Sequence, residues 1–335
     1  MKVIVDAFGG DNAPLEVIRG AAQAVEAYGH DIVLTGDEAQ IRKVAADNGI
    51  SLHKMDIIHA PDVIGMDDEP RSILKEHKEC SMAEGLRQLA AGNGDAFVTA
   101  GSTGAMIMGS TFIVKRIKGV SRAALAPLMP SNKGPFMLID SGANVDCRPE
   151  MLLQFAKMGS LYMQSVMGRD VSVGLINIGV EVCKGGALQH EAFALLKDSG
   201  LNFVGNVEAR DIPFGTADVL VADGFTGNVV LKMMEGVTDA LLKNIKEIFM
   251  TNTKTKLAAL MVKPQLAGFK KKMDTSEYGG APLLGVSKPV IKTHGNSKAP
   301  AIQHAIRVAA TFAEEGVIDK ITEAVKQNPT QQEAE

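Results

Sequence analysis

Short runs rich in valine and isoleucine alternate along this chain with longer stretches in which apolar residues recur at helical spacing. The alternation predicts an α/β fold, a mainly parallel sheet flanked by helices. In the first unit, a strand over residues 2–5 leads through a glycine turn into a helix with Asp11 or Asn12 as cap and Pro14 in its first turn. Further strands are predicted over residues 32–35, 55–59, 96–99, 136–139, 171–177, 202–204 and 219–222.

Five predicted strands end in a polar residue that leads into a glycine-bearing loop. Because the carboxyl ends of parallel strands lie along one edge of a sheet, we expect these loops to converge on one cleft. A single such loop could be only a tight turn that needs glycine, but five together favour a binding site. The candidate phosphate- and substrate-binding residues in these loops are Asp6, Gly9, Gly10, Asp11, Gly101, Ser102, Thr103, Gly104, Asp140, Asn144, Asn177 and Asp223.

The loop over residues 101–104 is the best candidate for an anion site. Backbone N–H groups and the helix dipole favour anions at a helix start, and Ser102 and Thr103 add two hydroxyls. This chemistry suits a phosphate-sized ligand. Nucleotide signatures are missing, because no G-x-G-x-x-G motif follows a strand and the sequence contains no Gly-Lys dipeptide. NAD and ATP are therefore disfavoured as ligands.

Composition narrows the class of protein. The 335 residues include 46% apolar and 22% charged residues, an ordinary globular composition, and we interpret residues 1–335 as a single α/β domain rather than two lobes. A net charge of −4 argues against a general nucleic-acid binder. Cys80, Cys147 and Cys183 suit neither a disulfide framework nor a C-x-x-C zinc site, which favours a reducing cytosol.

Targeting and membrane-spanning segments are not predicted. The first apolar run stops at Asp6, which is too short for a signal peptide. The longest uncharged stretch, residues 96–114, is interrupted by glycines and is predicted as strand, glycine turn and helix.

The sequence signals neither a covalent acyl-enzyme nor a metal centre, and we expect no metal and no cofactor. The motifs G-x-S-x-G and H-E-x-x-H do not occur. An acidic metal site would have to draw on four distant loops, through Asp6, Asp11, Asp140 and Asp223. What remains are amides, hydroxyls, Lys184 and His294, which suit anion binding and the stabilisation of charge on a carbonyl oxygen.

Eight short motifs occur in order between about residue 1 and residue 315. They are DAFGGD at 6–11, TAGSTGA at 99–105, DSGAN at 140–144, LINIGVE at 175–181 followed by Lys184-Gly185, FVGNVE at 203–208, DGFTGN at 223–228, APLLG at 281–285 and HGNS at 294–297. In this combination the chain resembles the bacterial phosphate acyltransferases of phospholipid synthesis. It departs from their usual pattern in small ways, with Phe8 where methionine is usual and Thr99 where serine is common.

The resemblance implies that long-chain acyl-acyl-carrier protein and inorganic phosphate give acyl phosphate and free carrier protein. The product would feed a membrane glycerol-3-phosphate acyltransferase. It also implies a homodimer with a fold similar to the isocitrate and isopropylmalate dehydrogenases and to phosphotransacetylase.

Three residues carry the hypothesis for the mechanism. Phosphate would lie against the 101–104 loop and Lys184, and Asn228 would stabilise the oxyanion formed when phosphate attacks the thioester. His294 could deprotonate phosphate. Each has an alternative, because Lys184 and Asn228 could serve only at helix ends and His294 could be structural.

A basic segment over residues 251–273 has six lysines and no acid. We expect Pro264 to break it into two short helices that form an amphipathic hairpin within residues 245–275. The candidate contact residues are Lys254, Lys256, Leu257, Leu260, Met261, Lys263, Leu266 and Phe269. The hairpin could contact an anionic membrane surface or an acidic carrier protein, or its apolar side could be buried in a dimer interface.

The sequence therefore predicts a cytoplasmic, peripherally membrane-associated phosphate acyltransferase. The alternatives are a short-chain phosphotransacetylase, an NAD-dependent decarboxylating dehydrogenase of the related fold, and a non-catalytic scaffold of a lipid pathway.

Overall fold

The computed structural model describes residues 1–273 and 278–327. Its strands are β1 (Lys2–Asp6), β2 (Asp31–Gly36), β3 (Met55–His59), β4 (Ala96–Thr99), β5 (Ala124–Leu125), β6 (Leu128–Ser131), β7 (Gly134–Ile139), β8 (Val173–Asn177), β9 (Phe203–Glu208), β10 (Val219–Val221), β11 (Ala281–Leu284) and β12 (Val290–Lys292). Its α-helices are α1 (Leu15–Tyr28), α2 (Glu38–Asp47), α3 (Ser81–Ala90), α4 (Thr103–Gly109), α5 (Pro149–Met167), α6 (Ala187–Lys197), α7 (Gly224–Met250), α8 (Thr253–Met273), α9 (Ala299–Glu314) and α10 (Val317–Gln327). A π-helical turn, Ser110–Lys115, continues α4.

The strands form two sheets. The first has the order β3-β2-β1-β4-β12-β11-β5 and the second β6-β7-β10-β8-β9. Pairing is parallel except where β11 meets β12 and β5, and where β6 meets β7. The predicted mainly parallel architecture is thus confirmed. The four strands that the periodicity did not predict, β5, β6, β11 and β12, span only two to four residues each.

The core runs through both sheets because apolar strands are covered by helices. Val3 and Val5 of β1 belong to the same buried cluster as Met137 of β7 and Val219 of β10. A parallel sheet covered on both faces needs such near-continuous apolar strands. The strands of both sheets therefore pack on one shared hydrophobic core.

Helix α1 begins later than the capping pattern predicts. It starts at Leu15, and Pro14 is its N-cap residue. The Asn12 side-chain amide donates to Asn296 O at 2.9 Å, and the Asp11 backbone N–H donates to Gly295 O at 2.7 Å. The predicted cap residues instead connect two loops.

A helical hairpin is present, but it is not the one predicted. Helices α7 and α8 are joined at residues 251 and 252, where Asn252 Oδ1 accepts from the Thr255 backbone N–H at 3.1 Å. The prediction that Pro264 breaks the segment is wrong, because α8 continues through Pro264. Pro264 lacks the backbone N–H that would donate to the carbonyl of Leu260, four residues earlier. Leu260 is 66% exposed, so water can reach this carbonyl. Residues 274 and 275 of the predicted 245–275 segment lie outside the described residues.

A continuous α8 separates the apolar residues that we expected on one side. At 3.6 residues per turn, the group around Leu257, Leu260 and Met261 points about 160° away from the group around Leu266 and Phe269. The first group is exposed, with Met261 at 81%. None of the helices within residues 1–273 and 278–327 is both long enough and apolar enough to cross a membrane.

Candidate active site

The loops that follow β1 and β4 are joined through the carboxylate of Asp6. This side chain is almost fully buried and accepts from Ser81 Oγ at 2.6 Å and from Thr99 Oγ1 at 2.7 Å. Burial raises the pKa of Asp6, and these hydrogen bonds oppose that rise. Thr99 Oγ1 in turn accepts from the Gly101 backbone N–H at 2.9 Å. Asp6 therefore organises the two loops rather than facing a ligand.

Close backbone approach brings a third loop to the same place. A Cβ on Gly9 would lie 2.7 Å from Gly101 N, and Gly10 has a φ of +95°, which favours glycine. A Cβ on Gly10 would also lie 2.7 Å from Gly295 O. The loops after β1, β4 and β12 thus pack against one another without room for side chains at these positions.

In the second sheet, Asp140 organises the turn after β7 in a similar way. It is fully buried, and burial raises its pKa against the hydrogen bonds that it accepts. The donors are the backbone N–H groups of Leu125, Gly142, Ala143 and Asn144 and the side-chain amide of Asn144. The Asn144 amide also donates to Ala123 O at 2.8 Å. Asp140 and Asn144 are consequently committed to the turn.

The start of α7 lies against this turn. Asp223 caps the helix by accepting from the backbone N–H and the hydroxyl of Thr226, both at 2.8 Å. A Cβ on Gly227 would lie only 1.8 Å from Asp140 O, so only glycine allows this contact. Asn228 follows directly, and its Cγ lies 3.6 Å from the position of a Cβ on Gly142.

A cleft of about 410 Å³ lies between the loops of the two sheets. From the first sheet it is lined by Thr103, Lys292 and His294, and from the second by Gly142 and Asn228. Three predicted site residues, Thr103, Asn228 and His294, therefore share one cavity although they are far apart in the chain. Its size suits a phosphate together with the reacting end of a thioester.

Lys292, at the carboxyl end of β12, is the buried cation of the cleft. Its side chain is only 7% exposed, and Nζ donates to Ala100 O at 3.3 Å and to Thr293 O. Burial lowers the pKa of Lys292 to about 8, although the carboxylate of Asp6 opposes this shift. An ammonium group with three donors that gives two of them to carbonyls retains one for an anion.

Three neighbouring polar side chains, Lys232, Glu235 and His294, form another part of the wall of the cleft. Lys232 Nζ lies 2.8 Å from Glu235 Oε2, and His294 Nε2 lies 3.3 Å from Glu235 Oε1. Lys232 and Glu235 line the cleft one and two turns beyond Asn228 on α7. Glu235 therefore holds both a lysine and a histidine beside the cavity.

The remaining predicted residues lie around the cleft. Ser102 caps α4, and Gly104 packs against Pro70, where a Cβ would be 2.6 Å from the proline ring. The side-chain amide of Asn177 donates to Lys184 O at 3.1 Å, and the Lys184 side chain is exposed. Within the part of the chain that the structure describes, neither Asn177 nor Lys184 lines the cleft.

The sequence of this chain matches known proteins over nearly its full length. The family model described as fatty acid synthesis protein matches residues 1–320. A protein of Clostridium novyi (strain NT) named phosphate acyltransferase is 46% identical over 329 residues, covering 98% of this chain and 99% of the relative. A phosphate acyltransferase of Alkaliphilus oremlandii (strain OhILAs) is 44% identical over 326 residues, covering 97% of each chain.

The chain belongs to the phosphate acyltransferase family. Membership confirms the resemblance drawn from its motifs.

Solved structures of other proteins share the fold of this family member. A phosphotransacetylase from Streptococcus pyogenes has a TM-score of 0.63 at 18% identity and covers 94% of both chains. A 4-hydroxythreonine-4-phosphate dehydrogenase from Klebsiella pneumoniae has a TM-score of 0.53 at 12% identity, covering 93% of this chain and 99% of its own. The predicted fold class, shared by acyl-transferring and dehydrogenase folds, is confirmed.

The polar groups that line the cleft of this phosphate acyltransferase family member include the Lys292 ammonium and the Asn228 amide. Within residues 1–273 and 278–327, no group of three or more histidine, cysteine, aspartate or glutamate side chains is arranged to hold a metal ion. Burial raises the pKa values of the Cys80 and Cys147 thiols to about 11, so neither is a thiolate near neutral pH.

Sequence reasoning missed Lys292, Lys232 and Glu235. Lys292 follows the apolar pair Val290 and Ile291 and precedes a glycine-bearing loop, the same pattern that marked the five predicted strand ends. Its strand is only three residues long, and this brevity hid the signal. Lys232 and Glu235 carry no such signal, because only the packing of α7 determines which of its polar residues face the cleft.

Proposed function

We propose that this protein transfers a long-chain acyl group from acyl carrier protein to inorganic phosphate. One observation carries the proposal: the nearly buried Lys292 lies in a cleft with the helix start at Thr103 and the amide of Asn228. A phosphate dianion would accept from Lys292 and from the N–H groups at the start of α4.

The chemical step follows from holding both reactants in one cleft. A phosphate oxygen attacks the thioester carbonyl carbon, the C–S bond breaks, and the carrier thiolate leaves and takes up a proton. In our proposal, Asn228 donates to the oxyanion of the tetrahedral intermediate, and His294, paired with Glu235 in the wall of the cleft, donates or accepts the proton. The product is a mixed anhydride, which a membrane acyltransferase could consume.

A second cavity supports a long acyl substrate. It has a volume of about 310 Å³ and shares Met129, Glu235 and His294 with the cleft. Its other lining residues include the apolar Met234, Leu242 and Met273 and the polar Thr238, Asp239, Lys270 and Asn296. The apolar side chains offer a contact for an alkyl chain along part of the wall, and methionine adapts to chains of different length.

The test is direct. The protein is incubated with palmitoyl-acyl-carrier protein with and without phosphate, and free carrier thiol and hydroxylamine-trapped acyl phosphate are measured. Both products should accumulate only with phosphate. Thiol release without phosphate would indicate a hydrolase, and binding without release would indicate a scaffold. Palmitoyl coenzyme A in place of the carrier protein distinguishes a phosphotransacetylase.

We also propose that the protein is a homodimer. Exposed apolar side chains line the outer side of α7 and the loop after the neighbouring strand β8, and such patches mark interfaces. They are Ile178, Val180, Val182, Phe225, Val229, Met233 and Val237. Lys184 belongs to the same β8 loop, so we tie its proposed role as phosphate ligand to the dimer. Val229→Glu should give a monomer by sedimentation velocity, whereas the control Val166→Glu, at an exposed site on α5, should stay dimeric.

Finally, we propose that the hairpin of α7 and α8 contacts an anionic membrane surface with its turn end. Exposed Ile248, Met250, Leu257, Leu260 and Met261 cluster near that end. Lys254, Lys256 and Lys263 flank them. Apolar residues bordered by lysines are the chemistry of a surface-lying membrane contact.

A further inference from the structure

A groove of about 890 Å³ lies next to the cleft and is strongly basic. Five cationic residues line it, all of them exposed: Arg71, Lys115, Arg116, Lys118 and Arg122. A single acidic residue, Asp146, lines it as well. A local positive surface of this kind is unexpected in a chain whose net charge is −4. We call this surface the basic groove.

Three cations of the basic groove, Arg71, Lys115 and Arg122, are poorly compensated among the described residues. Within the described residues, no carboxylate oxygen lies within 4.0 Å of a side-chain nitrogen of Arg71, Lys115 or Arg122. The Arg116 guanidinium donates to the carbonyls of Val120 and Ser121, which are neutral groups. The groove therefore retains a positive potential available to an acidic partner.

Two exposed apolar side chains accompany the cations. Phe112 is 60% exposed and Val145 is 63% exposed, and both line the groove. An aromatic side chain surrounded by arginines is typical of the residues that dominate binding energy in protein interfaces. A bare phosphate would use the cations but not these two side chains, so the combination favours a protein surface.

The backbone of the groove is held firmly. The Ser287 N–H donates to Lys115 O at 2.9 Å, and the Ile117 N–H donates to Gly285 O at 3.0 Å. The Ser121 N–H donates to Gln154 Oε1 at 3.0 Å. A partner can dock on such a preformed surface without first ordering it.

One turn and one helix separate the basic groove from the cleft. Ser141 and Gly142 line the cleft, and the next two residues of the same turn, Ala143 and Asn144, line the groove. Helix α4 likewise begins at the cleft with Thr103 and borders the groove one turn later. A partner in the groove could therefore extend a flexible arm over this turn into the cleft.

We propose that the basic groove docks the acidic carrier protein that presents the acyl thioester, with its carboxylates on Arg71, Lys115 and Arg122 and an apolar contact on Phe112. This rests on the proposed function. From the sequence alone, the lysines of α8 could contact either the carrier protein or a membrane. The proposal assigns the carrier protein to the basic groove and the membrane to the hairpin.

The test compares Arg71→Glu/Arg122→Glu with the control Lys43→Glu/Lys197→Glu, which makes the same charge change at exposed positions on α2 and α6. Initial rates are measured with palmitoyl-acyl-carrier protein and with palmitoyl-N-acetylcysteamine, a thioester without a protein. The groove variant should raise KM for the carrier substrate about tenfold at unchanged kcat, and should leave the small thioester unaffected. The control should match the parent protein with both donors.

The other outcomes are equally clear. An unchanged KM for the carrier protein in the groove variant, or an equal loss with both donors, overturns the docking proposal. An equal loss with palmitoyl coenzyme A, or a loss of binding to vesicles containing phosphatidylglycerol, assigns the groove to another ligand and overturns it too.

A direct binding measurement separates this proposal from the proposed function. Titration calorimetry with carrier protein should show binding by the parent protein and at least tenfold weaker binding by the groove variant and by Phe112→Ala. If the parent protein binds the carrier in this way but turns over neither donor, the proposed function fails while the docking site stands.

Discussion

The loops around the cleft and the hairpin of α7 and α8 differ in which kinds of side chain are buried and which are exposed. Around the cleft, the carboxylates of Asp6 and Asp140 are buried and accept several hydrogen bonds each. On the hairpin, leucine and methionine side chains such as Leu260 and Met261 are exposed.

The contrast matches the two tasks proposed above. A site that must stabilise charge during a reaction needs dipoles fixed in advance, and buried carboxylates fix the loops that supply them. A surface that must attach to a membrane or to another chain needs apolar area that the monomer leaves exposed. The five predictions below test the two halves of this comparison, from the largest expected effect to the smallest.

Replacing Asp140 by alanine should have the largest effect, on stability itself. The substitution leaves the buried N–H of Leu125 and the partly buried N–H groups of the 142–144 turn without an acceptor. Since each unpaired buried donor costs about 1–3 kcal/mol, the free energy of unfolding should fall by about 3 kcal/mol or more. Urea unfolding followed by circular dichroism measures it. The control Asp170→Ala, at an exposed carboxylate, should change little; equal stability of both variants would contradict the organising role of Asp140.

Asn228→Ala should lower kcat by about a hundredfold while the protein remains folded, because it removes one oxyanion donor. Steady-state rates with palmitoyl-acyl-carrier protein measure this, and Asn93→Ala, at an exposed position between α3 and β4 that does not line the cleft, serves as a control for amide removal. Lys184→Ala should give a smaller fall, since its side chain is exposed. A parent-like rate for Asn228→Ala would remove this residue from the mechanism.

The apparent affinity for phosphate should depend on the protonation of Lys292. Only the ammonium form attracts the dianion, and burial lowers the pKa of Lys292 to about 8 in the unliganded protein. The value of kcat/KM for phosphate should therefore fall about tenfold for each pH unit above this pKa. Lys292→Met should show a low kcat/KM without this dependence, measured between pH 7 and pH 10.

The same pKa predicts a stability difference with a defined sign. Between pH 8 and the ordinary lysine pKa of 10.5, the unfolded chain binds a proton at Lys292 that the folded chain has lost. The free energy of unfolding of the parent protein should therefore rise with pH in this window relative to Lys292→Met. A constant difference across the window would contradict the lowered pKa.

Leu257→Glu should have the smallest effect, weakening binding to anionic vesicles about fivefold by placing a carboxylate in the exposed apolar group. Vesicle sedimentation at low salt measures it. Leu266→Glu is the matched control, because α8 carries Leu266 on the opposite side from Leu257. Equal loss with both variants would mean that charge alone, rather than the apolar turn end, governs the contact.

Sequence patterns predict best those features that depend on residues close together in the chain. Strands such as β1 and β4 were predicted because each carries its own uninterrupted apolar run, and the loops that bring Thr103 and Asn228 to the cleft follow such runs. Lys292 was missed because three residues of β12 are too few to show a period. The predicted break at Pro264 was wrong because one missing N–H does not end a helix whose other hydrogen bonds remain.

By itself the sequence determined the α/β class, the family and the set of loops that lead from strand ends, because apolar period and turn chemistry are properties of neighbouring residues. Only the tertiary structure decided which polar groups face the cleft and which hold its walls, since that choice depends on contacts between residues such as Asp140, in the turn after β7, and Leu125 of β5. It also decided where the uncompensated positive charge lies. Charge compensation depends on distances in space, which spacing along a chain does not determine.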